Sequence, residues 1–199
     1  HDLARIRRIE VATYQAVSGA GSSGVEELAR PKEELLNARS HEPSVFTKQI
    51  AFNVIPHIDS FQDNGFTREE MKMVWETRKI LGDESILVNP TCARVPVFYG
   101  HSEAVSIQTE TPLTVAEARA ALEGAPGVTL LDAHKDGAYP TPVPNAAGED
   151  GVFVGRLRES LTVPGGLNLW VVSDNLRKGA ALNAVQIAEL LGRRHLQKG

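Results

Sequence analysis

The chain contains 199 residues, of which 42% are hydrophobic and 23% are charged, values typical of a globular protein with one large domain or two small ones. A formal net charge of −4, without a basic stripe between aromatic residues, argues against nucleic acid as a partner. No apolar run is long enough to span a bilayer, so we expect no membrane partner. The only cysteine, Cys92, cannot form an internal disulfide, and we therefore expect a reducing compartment, the cytoplasm.

The beginning of the chain predicts a strand followed by a glycine-rich segment. Because the first residue is His1 and a strand-like pattern follows at once, we expect a piece of a longer protein or a processed product. Alternating β-branched residues predict a strand from Ala4 to Tyr14. The segment SGAGSSG, from Ser18 to Gly24, then indicates a strand-loop-helix transition. Its backbone N–H groups either cradle an anion or a cofactor amide, or they form a flexible turn at a helix N-cap.

A helix and an irregular stretch are predicted next. The helix runs from about Ser22 to Arg39, with a kink or restart at Pro31. Its apolar side carries Leu28, Leu35 and Leu36. The stretch from Ser40 to Asp63 is irregular around IAFNVIPHID, and its apolar part before Pro56 predicts a buried turn or a short strand.

The segment TREEMKMVWETRKILGD predicts a well-bounded helix. Thr67 and Glu70 have the spacing of a capping box, and Gly82 ends the helix. The apolar stripe is predicted along Met71, Val74, Trp75 and Ile80. Glu69 and Lys72 stand three residues apart and share a face, which by itself indicates only a surface ion pair.

The stretch from Asn89 to Glu110 holds the most suggestive side chains. Residues 95–99, VPVFY, are predicted to form a strand with a proline near its start. Arg94 and His101 then lie near the two ends of one strand and could face a shared pocket. The alternatives are a solvated arginine and a turn histidine, and the local pattern does not decide between these interpretations.

The rest of the chain predicts, in order, a capped helix ending at Gly124, a short strand over VTLLDA, a long loop from His134 to Gly151, and two strands over VFVGRLRESL and LNLWVVSD. A last helix begins after Ser-Asp-Asn. Its small-residue face could dock on a partner absent from this chain, and it consists of Ala180, Ala181, Ala184 and Ala188.

These elements predict an α+β fold with a mixed, mainly antiparallel sheet and helices on one face. The strands do not alternate with helices in regular βαβ units, which is why a parallel sheet is not favoured. Histidines are scattered through the chain and no metal-ligand spacing occurs, so we expect no metal site.

Segments in a fixed order carry a resemblance to a known family. They are TYQAVSGAGSSGVEEL, IAFNVIPHID, FTREEMKMVWETRKILG, CARVPVFYGHSEAVSI and SDNLRKGAALNAVQIAELL. Together they closely resemble the C-terminal part of bacterial aspartate-β-semialdehyde dehydrogenases, over nearly the whole chain. The resemblance implies an NADPH-dependent enzyme that reduces β-aspartyl phosphate to aspartate semialdehyde and releases phosphate. This reaction belongs to the synthesis of lysine, methionine, threonine and isoleucine.

The resemblance also implies a domain arrangement. Residues 1–173 would be a catalytic and homodimerisation domain, similar to the C-terminal domain of glyceraldehyde-3-phosphate dehydrogenase. Residues 174–199 would be a C-terminal helix that packs on an N-terminal NADP domain. That domain, with its glycine-rich fingerprint, a second phosphate-site arginine and the nucleophilic cysteine of an Asn-Cys motif, is expected outside this chain. The chain alone is therefore expected to be inactive.

The resemblance assigns substrate roles to particular residues. His101 matches the general acid/base, which would take the thiol proton and manage protons while the thiohemiacetal forms and collapses. Arg94 matches the arginine that binds the substrate α-carboxylate. Gln15 matches the glutamine beside the nucleophile that orients the substrate. Glu69 matches the carboxylate that holds the substrate amino group, and Lys72 matches a lysine of the phosphate site.

Cofactor roles follow in the same way. Ser18 and Gly19 match the cofactor-contacting pair of the glycine-rich loop, and Asn175 matches an asparagine that reaches the nicotinamide amide. Cys92 matches a non-catalytic cysteine, and a strand start is a poor place for an exposed thiolate.

Two other functions remain open from the sequence. One is a stand-alone dimerisation or binding module of the same fold without catalysis, although a scaffold has no need for the complete set of substrate residues. The other is a semialdehyde dehydrogenase acting on N-acetylglutamyl phosphate. The segments EEMK and RVPVFYGHSE favour the aspartate enzyme over this second alternative.

Overall fold

The computed structural model of the chain describes residues 1–30 and 42–196, and it shows one six-stranded mixed sheet. The strands are β1 (Ile6–Gln15), β2 (Leu87–Arg94), β3 (His101–Thr109), β4 (Val128–Leu130), β5 (Val152–Glu159) and β6 (Leu167–Ser173). Their order in the sheet is β2-β1-β3-β6-β5-β4. The pairs β1–β3, β3–β6 and β5–β6 are antiparallel, whereas β1–β2 and β4–β5 are parallel. The predicted α+β fold with a mixed, mainly antiparallel sheet is confirmed.

The helices follow the predicted order. They are α1 (Gly21–Ala29), α2 (Arg68–Leu81), α3 (Val115–Glu123) and α4 (Leu182–Leu191). Short helical turns flank them, at Val17–Ala20 before α1, Pro142–Ala146 in the long loop, and Arg177–Ala181 and Gly192–Leu196 on either side of α4. The predicted continuation of α1 toward residue 39, with Pro31, Leu35 and Leu36, lies outside the described residues.

One face of the sheet, called the helix face below, carries α2 and α3. On β2 the buried Cys92 points to α2, and its backbone N–H donates to Glu70 Oε1 at 3.0 Å. On the same face, toward the opposite edge of the sheet, Ala118 of α3 packs with the buried Leu157 and Leu167. Burial of these apolar side chains between helix and sheet supplies the main stabilising free energy of this layer.

On the opposite face, called the open face below, residues 1–30 and 42–196 place no helix along the centre. Its residues include Glu10 and Ala12 on β1, Ala104 and Ser106 on β3, and Asn168 on β6, which the register places side by side. Two cavities of about 310 and 420 Å³ open along this face. The register also places the aromatic rings of Tyr14 and Trp170 on this face, 5.6 Å apart. A sheet face of small, polar and aromatic side chains is suited to contact another surface.

Helix α2 differs from its predicted orientation. Glu70 and Val74 are its buried residues, whereas Trp75 is 51% and Ile80 is 80% exposed. The predicted apolar stripe is therefore wrong at Trp75 and Ile80. Glu70 turns inward because its carboxylate accepts two backbone N–H groups, those of Thr67 at 2.7 Å and Cys92 at 3.0 Å. These hydrogen bonds, and not the apolar pattern, set the rotation of the helix.

The predicted strand over residues 95–99 is also wrong. Strand β2 ends at Arg94, and the chain then turns sharply, with the Val97 N–H donating to the Val95 carbonyl at 2.8 Å. The carbonyls of this connection accept the N–H groups of Val17 at 2.8 Å and Ser18 at 3.2 Å. Arg94 therefore ends β2 and His101 begins β3, and these two strands lie on opposite sides of β1.

The irregular stretch before α2 is held by a buried carboxylate. Glu27 of α1 is 6% exposed, and it accepts the backbone N–H groups of Ser44 at 2.8 Å and Phe46 at 3.1 Å and the Ser44 hydroxyl at 2.7 Å. Burial raises the pKa of Glu27, but these hydrogen bonds outweigh it and the net pKa is lowered. The stretch then brings Ile55 against Arg94 through backbone hydrogen bonds of 3.0 and 2.8 Å, which agrees with the predicted buried turn or short strand.

Within the described part of the chain, no helix combines the length and apolarity that a bilayer crossing requires. The predicted capping box of Thr67 with Glu70 is confirmed, and the start of α3, predicted only as capped, also has a capping box, formed by Thr114 with Glu117. Gly82 ends α2 in the left-handed conformation, with a φ of 67°.

Replacing Thr67 with alanine is expected to lower the free energy of unfolding by about 1–2 kcal/mol, because its hydroxyl caps α2 and only 1% of the residue is exposed. Thr67→Ser keeps the hydroxyl and serves as the matched control. Thr114→Ala removes the same motif at an exposed helix start and should cost less. Urea unfolding followed by circular dichroism measures all three. Equal losses for Thr67→Ala and Thr114→Ala would contradict the role of burial.

Candidate active site

A cavity of about 450 Å³ lies at the end of the sheet where β1 and β2 finish and β3 begins. It is lined by all of the residues singled out for substrate or cofactor roles: Gln15, Ser18, Gly19, Glu69, Lys72, Arg94, His101 and Asn175. These residues come from separate segments of the sequence, and the sheet register explains their meeting. Gln15 and Arg94 are paired across β1 and β2, and His101 begins the strand on the other side of β1.

The two backbone groups of Ala16 join the main polar side chains. The Ala16 N–H donates to His101 Nδ1 at 3.0 Å, and the Ala16 carbonyl accepts from Arg94 Nη1 at 2.7 Å. Because Nδ1 accepts a hydrogen bond, the neutral imidazole carries its proton on Nε2. Ala16 itself is fully buried, so this arrangement is fixed by the core.

His101 is held in its neutral form. Its pKa is lowered to about 4: burial is the main cause, the charge of Arg94 acts in the same direction, and the charge of Glu69 opposes the shift. Gln15 Nε2 lies 3.4 Å from His101 Nε2 and 3.3 Å from Glu69 Oε1. Since Thr13 Oγ1 donates to Gln15 Oε1 at 3.0 Å, the amide nitrogen of Gln15 faces the cavity. The proton on His101 Nε2 faces the cavity as well, because Nδ1 is occupied by the Ala16 N–H.

Arg94 is a buried cation without a carboxylate partner. Only 6% of it is exposed, and among residues 1–30 and 42–196 no acidic side chain forms an ion pair with it. Its closest hydrogen-bonded neighbour is the neutral Ala16 carbonyl. A Cβ atom on Gly19 would lie 2.7 Å from Arg94 Nη1, so a side chain at this position would require the guanidinium to shift. Such a group is suited to bind an anion in the cavity.

The predicted ion pair on α2 is confirmed, at 2.9 Å between Lys72 Nζ and Glu69 Oε2. This hydrogen bond with Glu69 raises the pKa of Lys72, while partial burial opposes the change. The pair lines the cavity, so both signs of charge are available to a ligand that carries an ammonium and an anionic group.

Asn175 connects the glycine-rich segment with the start of β3. Its Nδ2 donates to Ser18 Oγ at 3.0 Å, and its Oδ1 accepts the Gly100 N–H at 2.9 Å. A carboxamide between a hydroxyl and a glycine backbone offers both a donor and an acceptor.

Four lining residues were not identified from the sequence: Ile58, Asp59, Leu176 and Ala180. Asp59 has a φ of 68°, a left-handed conformation that is unfavourable for most residues other than glycine, and its charge reaches Lys72. The only sequence signal was an acidic residue at the end of IAFNVIPHID. Such a signal is too common to identify a site.

Cys92 does not line this cavity. The residue is fully buried on the helix face, and burial raises the pKa of its thiol to about 11. A thiol with this environment is a poor nucleophile at neutral pH. In the part of the chain that the structure describes, no cluster of three or more histidine, cysteine or acidic side chains could hold a metal ion.

The His101 ring is expected to remain neutral at physiological pH and to take up a proton only near pH 4, because burial and Arg94 disfavour the imidazolium. NMR of chain labelled with 15N at histidine measures both the pKa and the tautomer. The ordinary pKa is about 6.5, so the unfolded chain binds more protons between that value and the folded pKa, and stability should fall as pH drops through this window.

Arg94→Gln removes the neighbouring charge and should raise the pKa of His101 without restoring its ordinary value, since burial remains. Arg7→Gln, at an exposed position near the other end of β1, is the control. A protonated Nδ1 in the neutral ring, or an unchanged His101 pKa in Arg94→Gln, would contradict the electrostatic assignment.

The chain matches known proteins in both sequence and structure. The family model described as "Semialdehyde dehydrogenase, dimerisation domain" matches residues 1–178. The aspartate-semialdehyde dehydrogenase of Legionella pneumophila is 59% identical over 198 residues, which are 100% of this chain and 57% of that relative.

Solved structures agree with this match. A structure of aspartate semialdehyde dehydrogenase II from Vibrio cholerae, complexed with ASA, has a TM-score of 0.93 and 55% identity, over 98% of this chain and 57% of its own. The enzyme from Candida albicans with NADP has a TM-score of 0.66 and 26% identity, over 94% and 50%. This chain thus spans a little more than half the length of these relatives, and the part it spans is the part that their family's dimerisation model describes. The chain belongs to the semialdehyde dehydrogenase family and carries its dimerisation domain.

Proposed function

We propose that this chain is the catalytic and dimerisation part of an aspartate-semialdehyde dehydrogenase. One observation carries the proposal: every side chain to which the resemblance assigned a role lines the same cavity, although those residues are spread from position 15 to position 175. A scaffold without chemistry has no reason to bury an arginine without an ionic partner and a neutral histidine beside it. This observation favours the enzyme over the stand-alone binding module.

In this proposal the charged residues hold the substrate. Arg94 forms a bidentate pair with the α-carboxylate, which supplies the partner that the buried guanidinium lacks. Glu69 and Asp59 present carboxylates to the α-ammonium group. Lys72 contributes a cation for the leaving phosphate. Gln15, anchored by Thr13, turns its amide nitrogen toward the reacting carbonyl.

The substrate carbon is attacked by a thiolate, forming a carbon–sulfur bond and releasing phosphate with its electron pair. We place this thiolate in the part of the relatives that this chain does not cover. The oxygen of the reacting carbonyl gains negative charge during the attack, and the His101 Nε2 proton is positioned to stabilise it. To accept a proton at Nε2, His101 must first move its ring proton from Nε2 to Nδ1. A protonated Nδ1 cannot accept the Ala16 N–H, so that hydrogen bond must break. The geometry therefore supports the donor role of His101 more directly than the base role.

The cofactor in this proposal is NADP. Ser18, Gly19 and Asn175 would hold its nicotinamide end, since all three line the cavity and the Asn175 carboxamide offers a donor and an acceptor to the carboxamide of the nicotinamide ring. When bound in reduced form, it supplies the hydride that converts the thioester to the aldehyde and frees the thiolate. Most of its binding site would lie in an N-terminal domain.

The C-terminal helix is proposed to pack on that domain, so that residues 174–199 form a connection distinct from residues 1–173. None of the residues of α4 is buried in this chain. Several are large and apolar, with Val185 55%, Ile187 51% and Leu191 51% exposed. An apolar helix with no buried side requires a partner surface.

Homodimerisation is proposed to use the open face of the sheet. The family model is that of a dimerisation domain, and this face presents small side chains such as Ala12 and Ala104 beside polar ones. In a two-fold symmetric dimer the open face of one copy would pack against the open face of the other, so that each covers the other. We place the assembled enzyme in the cytoplasm.

The catalytic proposal predicts that a protein containing this chain and an N-terminal NADP domain catalyses phosphate-dependent oxidation of aspartate semialdehyde with NADP. In that protein, His101→Asn should lower kcat by about 100-fold or more, because the ring proton at the reacting oxygen is lost. NADPH absorbance measures the rate. Cys92→Ala is the control and should retain most of the activity, because its thiol is buried away from the cavity.

Full activity in His101→Asn, or complete loss in Cys92→Ala while the fold is kept, would contradict the assignment. Activity with N-acetylglutamate semialdehyde but not with aspartate semialdehyde would favour the second alternative. Absence of any NADP-dependent activity would favour the binding module.

The dimer proposal predicts that Ala104→Arg shifts the chain from dimer to monomer, because a cation would be buried at the centre of the open face. Ala121→Arg, on the exposed side of α3, introduces the same charge elsewhere and should leave the dimer intact. Sedimentation equilibrium at tens of micromolar measures both. A monomeric wild-type chain, or a dimeric Ala104→Arg variant, would contradict this face as the interface.

A further inference from the structure

Asp174 directly precedes Asn175 and is 4% exposed. Its carboxylate accepts three backbone N–H groups. Oδ1 accepts from Leu176 at 2.8 Å and from Arg177 at 2.9 Å, and Oδ2 accepts from Gly148 at 2.7 Å. No hydroxyl or water is needed to satisfy this side chain, since both oxygens have protein donors.

The two oxygens do different tasks. Oδ1 accepts from the second and third residues after Asp174, the hydrogen-bond pattern of a capping carboxylate, and the helical turn itself begins at Arg177. Oδ2 instead ties this helix start to the long loop, 26 residues earlier in the chain. Burial raises the pKa of Asp174, but the three hydrogen bonds outweigh it and the net pKa is lowered, so the side chain is a carboxylate at neutral pH.

Asn175 is the first residue after this cap. Its amide reaches Ser18 Oγ at 3.0 Å and the Gly100 N–H at 2.9 Å. The Cβ atom of Pro142, from the same loop, would lie 3.1 Å from a Cβ added at Gly100. Asn175 is therefore held in two ways. Its side chain bonds to Ser18 and Gly100, and the Asp174 carboxylate fixes the backbone next to it.

We propose that Asp174 is a positioning residue that sets cofactor affinity, by clamping the helix start and the loop around Asn175 without touching the cofactor. This inference rests on the proposed function. The inference goes beyond the proposed function because Asp174 does not line the cavity and the resemblance assigned it no role. It also predicts an effect on cofactor affinity alone.

The test uses the two-domain enzyme and three variants. Asp174→Ala removes the cap and the tether. Asp174→Asn keeps a cap, since asparagine Oδ1 still accepts from Leu176 and Arg177, but turns an NH₂ toward the Gly148 N–H. Asp150→Asn is the matched control, because Asp150 binds the same helix start through an exposed ion pair with Arg177.

NADPH affinity is measured by fluorescence titration, and the KM for each substrate by initial rates. The Kd for NADPH should rise about tenfold or more in Asp174→Ala and by an intermediate factor in Asp174→Asn, while the KM for aspartate semialdehyde changes by less than about twofold. Asp150→Asn should bind NADPH as the wild type does. Thermal unfolding verifies that each variant is folded, and Asp174→Asn carries the test if Asp174→Ala is not.

The inference is overturned if the wild-type enzyme is active and the folded Asp174→Asn variant binds NADPH as tightly as the wild type does. It is also overturned if that variant loses affinity for NADPH and for aspartate semialdehyde by the same factor. A wild-type enzyme that neither binds NADPH nor turns over overturns the proposed function and this inference with it. The two failures are thus distinguished by the wild-type measurement alone.

Discussion

The pair of hydrogen bonds made by the backbone of Ala16 is the constraint on which the site depends. The N–H of this residue fixes the tautomer of His101, and its carbonyl holds the guanidinium of Arg94. Both contacts are possible because β1 lies between β2 and β3, so that its end is flanked by the last residue of one strand and the first of another. The next two residues, Val17 and Ser18, then bond to the connection between those strands, which fixes its path as well. A short run of backbone thus sets the geometry of two side chains and of the loop between them.

Most of the elements could be predicted from local pattern because their causes are local. Thr67 and Thr114 with their glutamates, Gly82, and the alternation along β1 specify helix ends and a strand without reference to the rest of the chain. The failures have distant causes. Residues 95–99 have a strand-like composition, but after the Val95 N–H bonds to Gln15 of β1 the chain turns, and the Val97 and Phe98 carbonyls accept from the turn that follows β1. The rotation of α2 is set by Glu70, whose second partner, the Cys92 N–H, lies 22 residues away.

The site shows the same division more sharply. Local pattern left Arg94 and His101 undecided, since an arginine and a histidine have many ordinary uses. The resemblance, and not periodicity, selected the full set of residues, and the structure then placed that set around one cavity. Asp59 was missed because its relevance arises from a left-handed backbone conformation and from proximity to Lys72, neither of which an amino-acid type reveals. Sequence identifies such a residue only when a family motif includes it.

The buried arginine links folding to binding. Removing a guanidinium from water is costly unless a partner restores the lost interactions, and among the described residues the partner within hydrogen-bond distance of Arg94 is a neutral carbonyl. The negative charge of Glu69 supports its ionised form from nearby, but Glu69 is already paired with Lys72. Part of the desolvation cost is therefore not recovered in the unliganded protein. A ligand carboxylate would recover it at the moment of binding, so the same feature that weakens the empty site strengthens its preference for an anion over a neutral analogue. The rigid backbone around Ala16 is what keeps this unfavourable arrangement in place until the ligand arrives.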